Sequence, residues 1–252
     1  MGSVATKAYI RPRAYVRVQG PDAAGLLQRI VSNDVFADPV CEALILTAKG
    51  RVIAPLLIWR RGEDDFLLLT EPELGETVRS HLVRMRVAAK CEIEPEQHSS
   101  AIVFGEAAGI PTSDYGIPAV EVLDGEVETE PTDEELERLR ILARTPRWGR
   151  EIDDGILPAE AGLDGRAVSF TKGCYPGQEP LARLHNRGHA NRTLRVLELD
   201  GEPARQADEV RLEDRVVGRV TSAVPGLALA YVRVDLPDGA ALEIAGRPAR
   251  LH

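Results

Sequence analysis

The chain has 252 residues and a mass of 27.5 kDa, enough to bury a sizeable core in one large or two modest domains. Apolar residues make up 44% and charged residues 28%, a globular balance that excludes a disordered chain. With 40 acidic and 31 basic residues the formal charge is −9, and aromatics are only 4%, which argues against a general nucleic-acid or membrane-surface binder.

Residues 1–13 carry no apolar stretch ahead of a cleavage site. Cys41, Cys91 and Cys174 lie far apart with no Cys-x-x-Cys pair, which excludes a disulfide framework and, unaided, a four-thiolate metal or iron–sulfur site. Both features predict a cytosolic chain. Arg13 to Val18 alternates like a strand, and Asp22 to Val31 is periodic like a helix. Leu44–Thr47 and Val52–Trp59 are apolar runs around Ala48-Lys49-Gly50-Arg51, the pattern of a hairpin with Gly in its turn. The second run is too short to span a bilayer and contains Pro55. Phe66 to Thr70 reads as a further strand. Glu71–Arg86 reads as a helix with Pro72 in its first turn and Leu74, Val78, Leu82 and Met85 on one face. Val87–Glu94 and Ala101–Phe104 complete the strands, so the expected class is α+β, with helices on an antiparallel or mixed sheet.

Residues 121–137 hold nine acids and no base, and Thr132 with Glu135 forms a capping-box pattern for a helix reaching about Thr145. From Thr193 onward, short Val- and Leu-rich runs are divided by Gly, Pro and Asp, the texture of a small antiparallel barrel or sandwich. The expected domains are therefore 1–190 and 191–252.

Between Arg166 and Arg195 the charge reverses: six basic residues face the single acid Glu179. Arginine forks suit carboxylates and phosphates, so this segment reads either as a local anion-attracting surface or as a domain-junction patch neutralised by acidic loops elsewhere. Within it, Lys172-Gly173-Cys174-Tyr175-Pro176-Gly177-Gln178-Glu179 reads as a tight loop. Lys172 is close enough in sequence to favour a Cys174 thiolate. Spacing alone leaves open an inert Cys174, a Cys174–His185 nucleophile–base pair, and a zinc site of Cys174, His185 and His189. Pro180 and Gly188 argue against the regular helix that the two histidines need to share a face. Upstream, Glu160 stands in a small-residue turn where a carboxylate can accept hydrogen bonds from an amino-heterocycle.

KGCYPGQE at 172–179 resembles the signature of the YgfZ-type folate-binding proteins, relatives of the glycine-cleavage T-protein (aminomethyltransferase). Segments 18–35, 46–58, 148–163 and 216–224 are similar to family segments in the same order. The resemblance implies a T-protein-like ring of α+β and ferredoxin-like parts, completed by a C-terminal β-barrel, around a folate-sized hole. It implies tetrahydrofolate as ligand, Glu160 on the pterin, and Cys174 as the functional residue of a loop fixed by Lys172, Tyr175, Gln178 and Glu179. Arg183 or Arg187 is then expected at the anionic glutamate tail. The implied role is folate-dependent support of iron–sulfur enzymes, with tRNA modification as an indirect effect, through iron–sulfur client or assembly proteins. No metal bound by this chain alone, no direct nucleic acid, no membrane and a monomeric state are expected. Aminomethyltransferases carry an Asp after the strand corresponding to Phe66–Thr70. This chain reads Thr70-Glu71-Pro72-Glu73-Leu74 there, which points away from aminomethyl transfer.

Overall fold

The computed structural model describes residues 7–130, 134–237 and 239–252. The chain opens with β1 (Lys7–Ile10), β2 (Ala14–Gln19) and α1 (Ala23–Ile30). A hairpin of β3 (Val40–Leu46) and β4 (Val52–Arg60) follows, then β5 (Asp65–Thr70). Pro72–Leu74 forms a single 3₁₀ turn before α2 (Gly75–Met85). Pro72 lacks the N–H that a helix interior needs and so sits ahead of α2. Leu74, Val78 and Leu82 are buried as their spacing predicts, but Met85 is exposed at the helix end. The strand expected at Val87 begins later, as β6 (Glu92–Glu96), because Val87 adopts a left-handed turn with φ 46°.

β3, β4, β5, β2 and β6 form a five-stranded antiparallel sheet in that order. Alternation splits its side chains between two cores. Val16, Val18, Phe66, Leu68 and Ile58 face α1 and α2, while Tyr15, Leu57, Leu67 and Leu69 face the other way. Burial on both faces is why Phe66–Leu69 is continuously apolar. The second face meets a smaller sheet of β1, β7 (Ser100–Phe104), β9 (Ala119–Leu123) and β8 (Ile110–Thr112).

α3 (Glu134–Leu142) takes up the acidic segment, with Glu134, Glu135 and Glu137 in its first turn where the helix dipole favours them. The expected cap Thr132 lies outside the described residues. α4 (Gln178–Arg187) follows the signature loop and is a regular helix after all. Pro180 falls in its first turn, where no intrahelical N–H is required, and Gly188 is its C-cap. The chain ends in a closed antiparallel barrel of β10 (Arg192–Leu199), β11 (Glu209–Leu212), β12 (Arg215–Val224), β13 (Leu227–Arg233), β14 (Leu242–Ile244) and β15 (Arg247–Leu251). No helix among the described residues is long and apolar enough to cross a membrane.

Candidate functional site

The signature loop rests on the β3–β4 hairpin, and two glycines make the fit possible. Gly177 has φ +84°, and a Cβ there would lie 2.6 Å from the Thr47 carbonyl oxygen and 3.1 Å from Gly50 Cα. Gly50, at φ +74°, lies in turn against Leu181 and Pro180 of α4. Only a residue without a side chain allows this approach. Further upstream, the Ser32 hydroxyl donates to the Ala167 carbonyl at 2.5 Å, and the Ser169 N–H donates to Ser32 O at 2.9 Å.

Lys172 is buried, and its Nζ donates to the Val31 and Asn33 carbonyls, both at 2.7 Å. It lies 5.2 Å from the Tyr175 ring centroid. Tyr175 is buried among Leu44, Leu46 and Leu181, and its hydroxyl donates to Ser169 O at 3.1 Å. These anchors turn inward and leave Cys174 exposed on the outside of the loop. The ammonium therefore does not serve Cys174 as expected. Its charge acts on Cys41, whose thiol burial pushes up to about 11, and burial pushes Lys172 itself down to about 8.

Glu179 and Arg183 pair with each other along the exposed side of α4 at 3.1 Å, and Arg187 is also exposed. Gln178 opens the helix, its N–H donating to Tyr175 O at 3.2 Å. His185 stacks on Phe170, with ring centroids 4.1 Å apart, but His189 lies beyond the helix end. Cys174, His185 and His189 are not gathered: among the described residues no group of three His, Cys, Asp or Glu side chains stands where it can hold a metal.

Glu160 is buried in its turn. Arg192, at the start of the barrel, donates to it from Nε at 3.0 Å, and the Leu157 N–H donates at 3.1 Å. The Arg192 guanidinium also lies 4.9 Å from the Tyr231 ring centroid. Arg192 and Tyr231 line a groove of about 500 Å³ on the barrel.

A second charged site, absent from the sequence reading, lies where the two sheets meet the linker to the barrel. Arg11 forms a fork with Glu71 at 2.9 and 3.3 Å, and Arg13 forms one with the fully buried Glu121 at 3.0 and 3.2 Å. Arg166 bridges Glu42 and Asp114, the latter at 2.7 Å. The surrounding guanidinium groups hold the Glu71 and Asp114 carboxyls below their usual range against the opposing effect of burial. The cavity they line measures about 70 Å³. Charge in this chain reveals such a site poorly, because its members come from five separate segments and cancel in any window.

Residues 191–252 match the family described as the CAF17 C-terminal β-barrel domain. The mitochondrial iron–sulfur cluster assembly factor IBA57 of Mus musculus is 27% identical over 249 residues, covering 75% of this chain and 65% of the mouse protein. An aminomethyltransferase of Symbiobacterium thermophilum is 36% identical over 234 residues, covering 88% of this chain and 52% of the transferase. The chain thus spans less than two thirds of either relative. The crystal structure of the glycine cleavage system aminomethyltransferase T from Bartonella henselae is similar in fold, with a TM-score of 0.84 at 16% identity over 98% of this chain and 85% of that one. The α+β, T-protein-like architecture with a C-terminal antiparallel barrel is therefore the fold observed. The chain is thus similar to IBA57-type assembly factors and to aminomethyltransferases, with a CAF17-type barrel at its C-terminal end and the fold of the glycine-cleavage T-protein.

Proposed function

We propose that the chain is a cytosolic, folate-binding accessory protein that supports the assembly or repair of iron–sulfur enzymes, with Cys174 as its functional side chain and tRNA modification as an indirect consequence. The observation that carries this reading is the presentation of Cys174. Lys172, Tyr175 and Gly177 are committed to the interior, so the loop is fixed while its thiol faces outward toward a client or assembly protein. A protein that only needed a packed cysteine would bury it.

Tetrahydrofolate, a carrier of one-carbon units, finds a matching set of groups beside Glu160. The groove of about 500 Å³ falls in the range of small-molecule sites and is lined by Arg192 and Tyr231. Arg192 reaches from that groove to Glu160, whose carboxylate retains acceptor capacity after three hydrogen bonds.

A one-carbon transferase is the less favoured reading. Of Glu71 and Glu73, the two carboxylates that could stand in for the transferase Asp, Glu71 is locked by the Arg11 fork and kept ionised below its usual range. A carboxylate held this way is a weak base and is not free to approach a substrate nitrogen. Calorimetric titration of the reduced protein with tetrahydrofolate and its 5-formyl form tests the ligand. Saturable binding, weakened by Glu160→Ala, is expected, and no binding at millimolar ligand would remove folate from the account. Complementation tests the thiol: Cys174→Ala is expected to fold normally yet fail to restore iron–sulfur enzyme activity in cells lacking the protein, and full restoration would refute its role.

A further inference from the structure

His98 lies, partly buried, in the connection that carries the chain from β6 in the first sheet to β7 in the second. Its ring meets a carboxylate on each side. Nδ1 is 2.6 Å from Oδ2 of Asp124, the residue just beyond β9 of the second sheet. Nε2 is 2.9 Å from Oε2 of Glu96, the last residue of β6 in the first. The ring also meets Tyr15 of β2 edge to face, with centroids 5.0 Å apart and planes at 79°. Tyr15 belongs to the apolar layer between the sheets, with Leu57, Leu67, Leu69 and Ile110, so the histidine closes one rim of that layer.

An ionised carboxylate only accepts hydrogen bonds, so a ring that meets one on each nitrogen donates from both, which the imidazolium alone can do. Counting charges leads to the same state. Glu96 forms a fork with Arg61 at 2.9 and 3.0 Å and lies 3.4 Å from Arg17 Nε. Asp65 pairs with both of these arginines, at 2.9 and 3.0 Å. Asp65, Glu96 and Asp124 thus set three carboxylates against two guanidinium groups, and a charged His98 is the third cation. Partial burial opposes that charge, but the hydrogen bonds to Asp124 and Glu96 outweigh it and hold the ring above the ordinary histidine value of 6.5. The remaining titratable neighbour, Tyr15, stays neutral, because burial pushes its hydroxyl up to about 12.

The two carboxylates are themselves fixed. Asp124 Oδ1 accepts from the Ser99 N–H at 2.9 Å, and the Asp124 N–H donates to Ser99 O at 3.0 Å, while Glu96 is held by the Arg61 fork. A ring nitrogen that loses its proton would face a carboxylate oxygen with a lone pair, and that contact breaks. We propose that His98 is a proton-operated clamp between the two sheets: the imidazolium ties Glu96 of one to Asp124 of the other, and loss of its proton releases one of these contacts and loosens the smaller sheet. That sheet carries Glu121 on β9 and Asp114 between β8 and β9, so the clamp also sets how firmly these carboxylates meet Arg13 and Arg166. A group whose folded value is raised contributes stability that is fully present below its unfolded value and is lost as pH rises through the folded one. The sign is opposite to that of Lys172, so the effect is read locally and against variants. It requires neither folate nor Cys174.

The test follows the five histidines of the full chain by NMR from about pH 5 to pH 9, in the wild type, His98→Gln and Asp124→Asn. Amide exchange in β7 and β9, corrected for its intrinsic pH dependence and referred to α1, is read in the same proteins. Asp124 is exposed and has a left-handed backbone at φ 52°, which Asn accepts, so Asp124→Asn keeps the test open should His98→Gln fail to fold. The resonance lost in His98→Gln, or moved in Asp124→Asn, is that of His98. It is expected to titrate above 6.5 in the wild type, with proton affinity about tenfold lower in Asp124→Asn. Exchange in β7 and β9 is expected to quicken through that same titration, to do so at lower pH in Asp124→Asn, and to show no such step in His98→Gln. A His98 that titrates at or below 6.5 would show a neutral ring in the fold and overturn the proposal. Exchange that ignores the His98 titration would show an ion pair that clamps nothing and overturn it too.

Discussion

Lys172 shows how far a residue's neighbours in sequence can mislead about its work. Two positions from Cys174, it reads as a thiolate partner, yet its four-carbon stem carries the ammonium inward to the carbonyls of Val31 and Asn33. Direction is decided by where uncovered carbonyls lie after folding, and a sequence does not display them. The resulting burial has a consequence in solution. The folded-state Lys172 is at about 8 against an ordinary 10.5, so between those values the unfolded chain holds a proton that the folded chain lacks. Stability therefore rises with pH across that window. Cys41 acts in the opposite sense: its thiol is at about 11 in the fold against an ordinary 9, so above 9 the unfolded chain loses a proton that the folded chain keeps, and stability falls. The urea midpoint is expected to rise from about pH 7.5 to pH 9 and then level off or fall, and in Lys172→Met the rise should disappear. A rise of equal size in the variant would show that other groups produce it.

At the scale of elements, most of the fold is legible because its strands and helices follow simple periods. The hairpin around Gly50, the α1 helix and the short strands after Thr193 all appear where alternation and turn residues predict them. Helix α4 was obscured by Pro180, since proline reads as a breaker unless the helix start is already known. The paired-carboxylate junction was illegible for a different reason: no period links Arg11, Glu42, Glu71, Asp114 and Arg166, which only the packing of two sheets brings together. The glycines of the signature divide along the same line. Gly177 is demanded by the contact between loop and hairpin, whereas a Cβ on Gly173 would meet nothing within 4 Å. Gly177→Ala is expected to destabilise the protein by about 2 kcal/mol or more, from left-handed strain and the Thr47 clash. Gly173→Ala is expected to change stability by no more than about 0.5 kcal/mol. Chemical denaturation of the two variants reads the difference directly. If Gly173→Ala nevertheless abolishes support of iron–sulfur enzymes, the open space beside Cys174 is used by an incoming partner, and the loop serves docking as well as presentation.

Across the whole molecule, the barrel is closed in its hydrogen bonding but not in its packing. Ala228, Ala230 and Val232 of β13 point into the barrel core, while Leu227, Leu229 and Tyr231 of the same strand pack outward with Leu44, Leu46, Val52 and Ile141. That double burial is why LALAYV is apolar at every position, and it ties the barrel to the rest of the chain. Polar contacts reinforce the seam. Ser222 donates to the buried Glu151 carboxylate at 2.7 Å, and the Tyr231 hydroxyl donates to the Glu151 carbonyl at 2.7 Å. Arg140 pairs with the same Glu151 from α3 at 3.0 Å, so helix, linker and barrel share one buried carboxylate. Residues 191–252 alone would expose Leu194, Val196, Val224, Leu227, Leu229 and Tyr231 together, a patch of the kind that drives association. The expectation is a single cooperative unit. Calorimetry of the full chain should give one transition with calorimetric and van't Hoff enthalpies equal, and Glu151→Gln should lower its midpoint without splitting it. Two separated transitions would show instead that the barrel folds on its own and that the seam, with the Glu160–Arg192 pair beside it, can open while both parts remain folded.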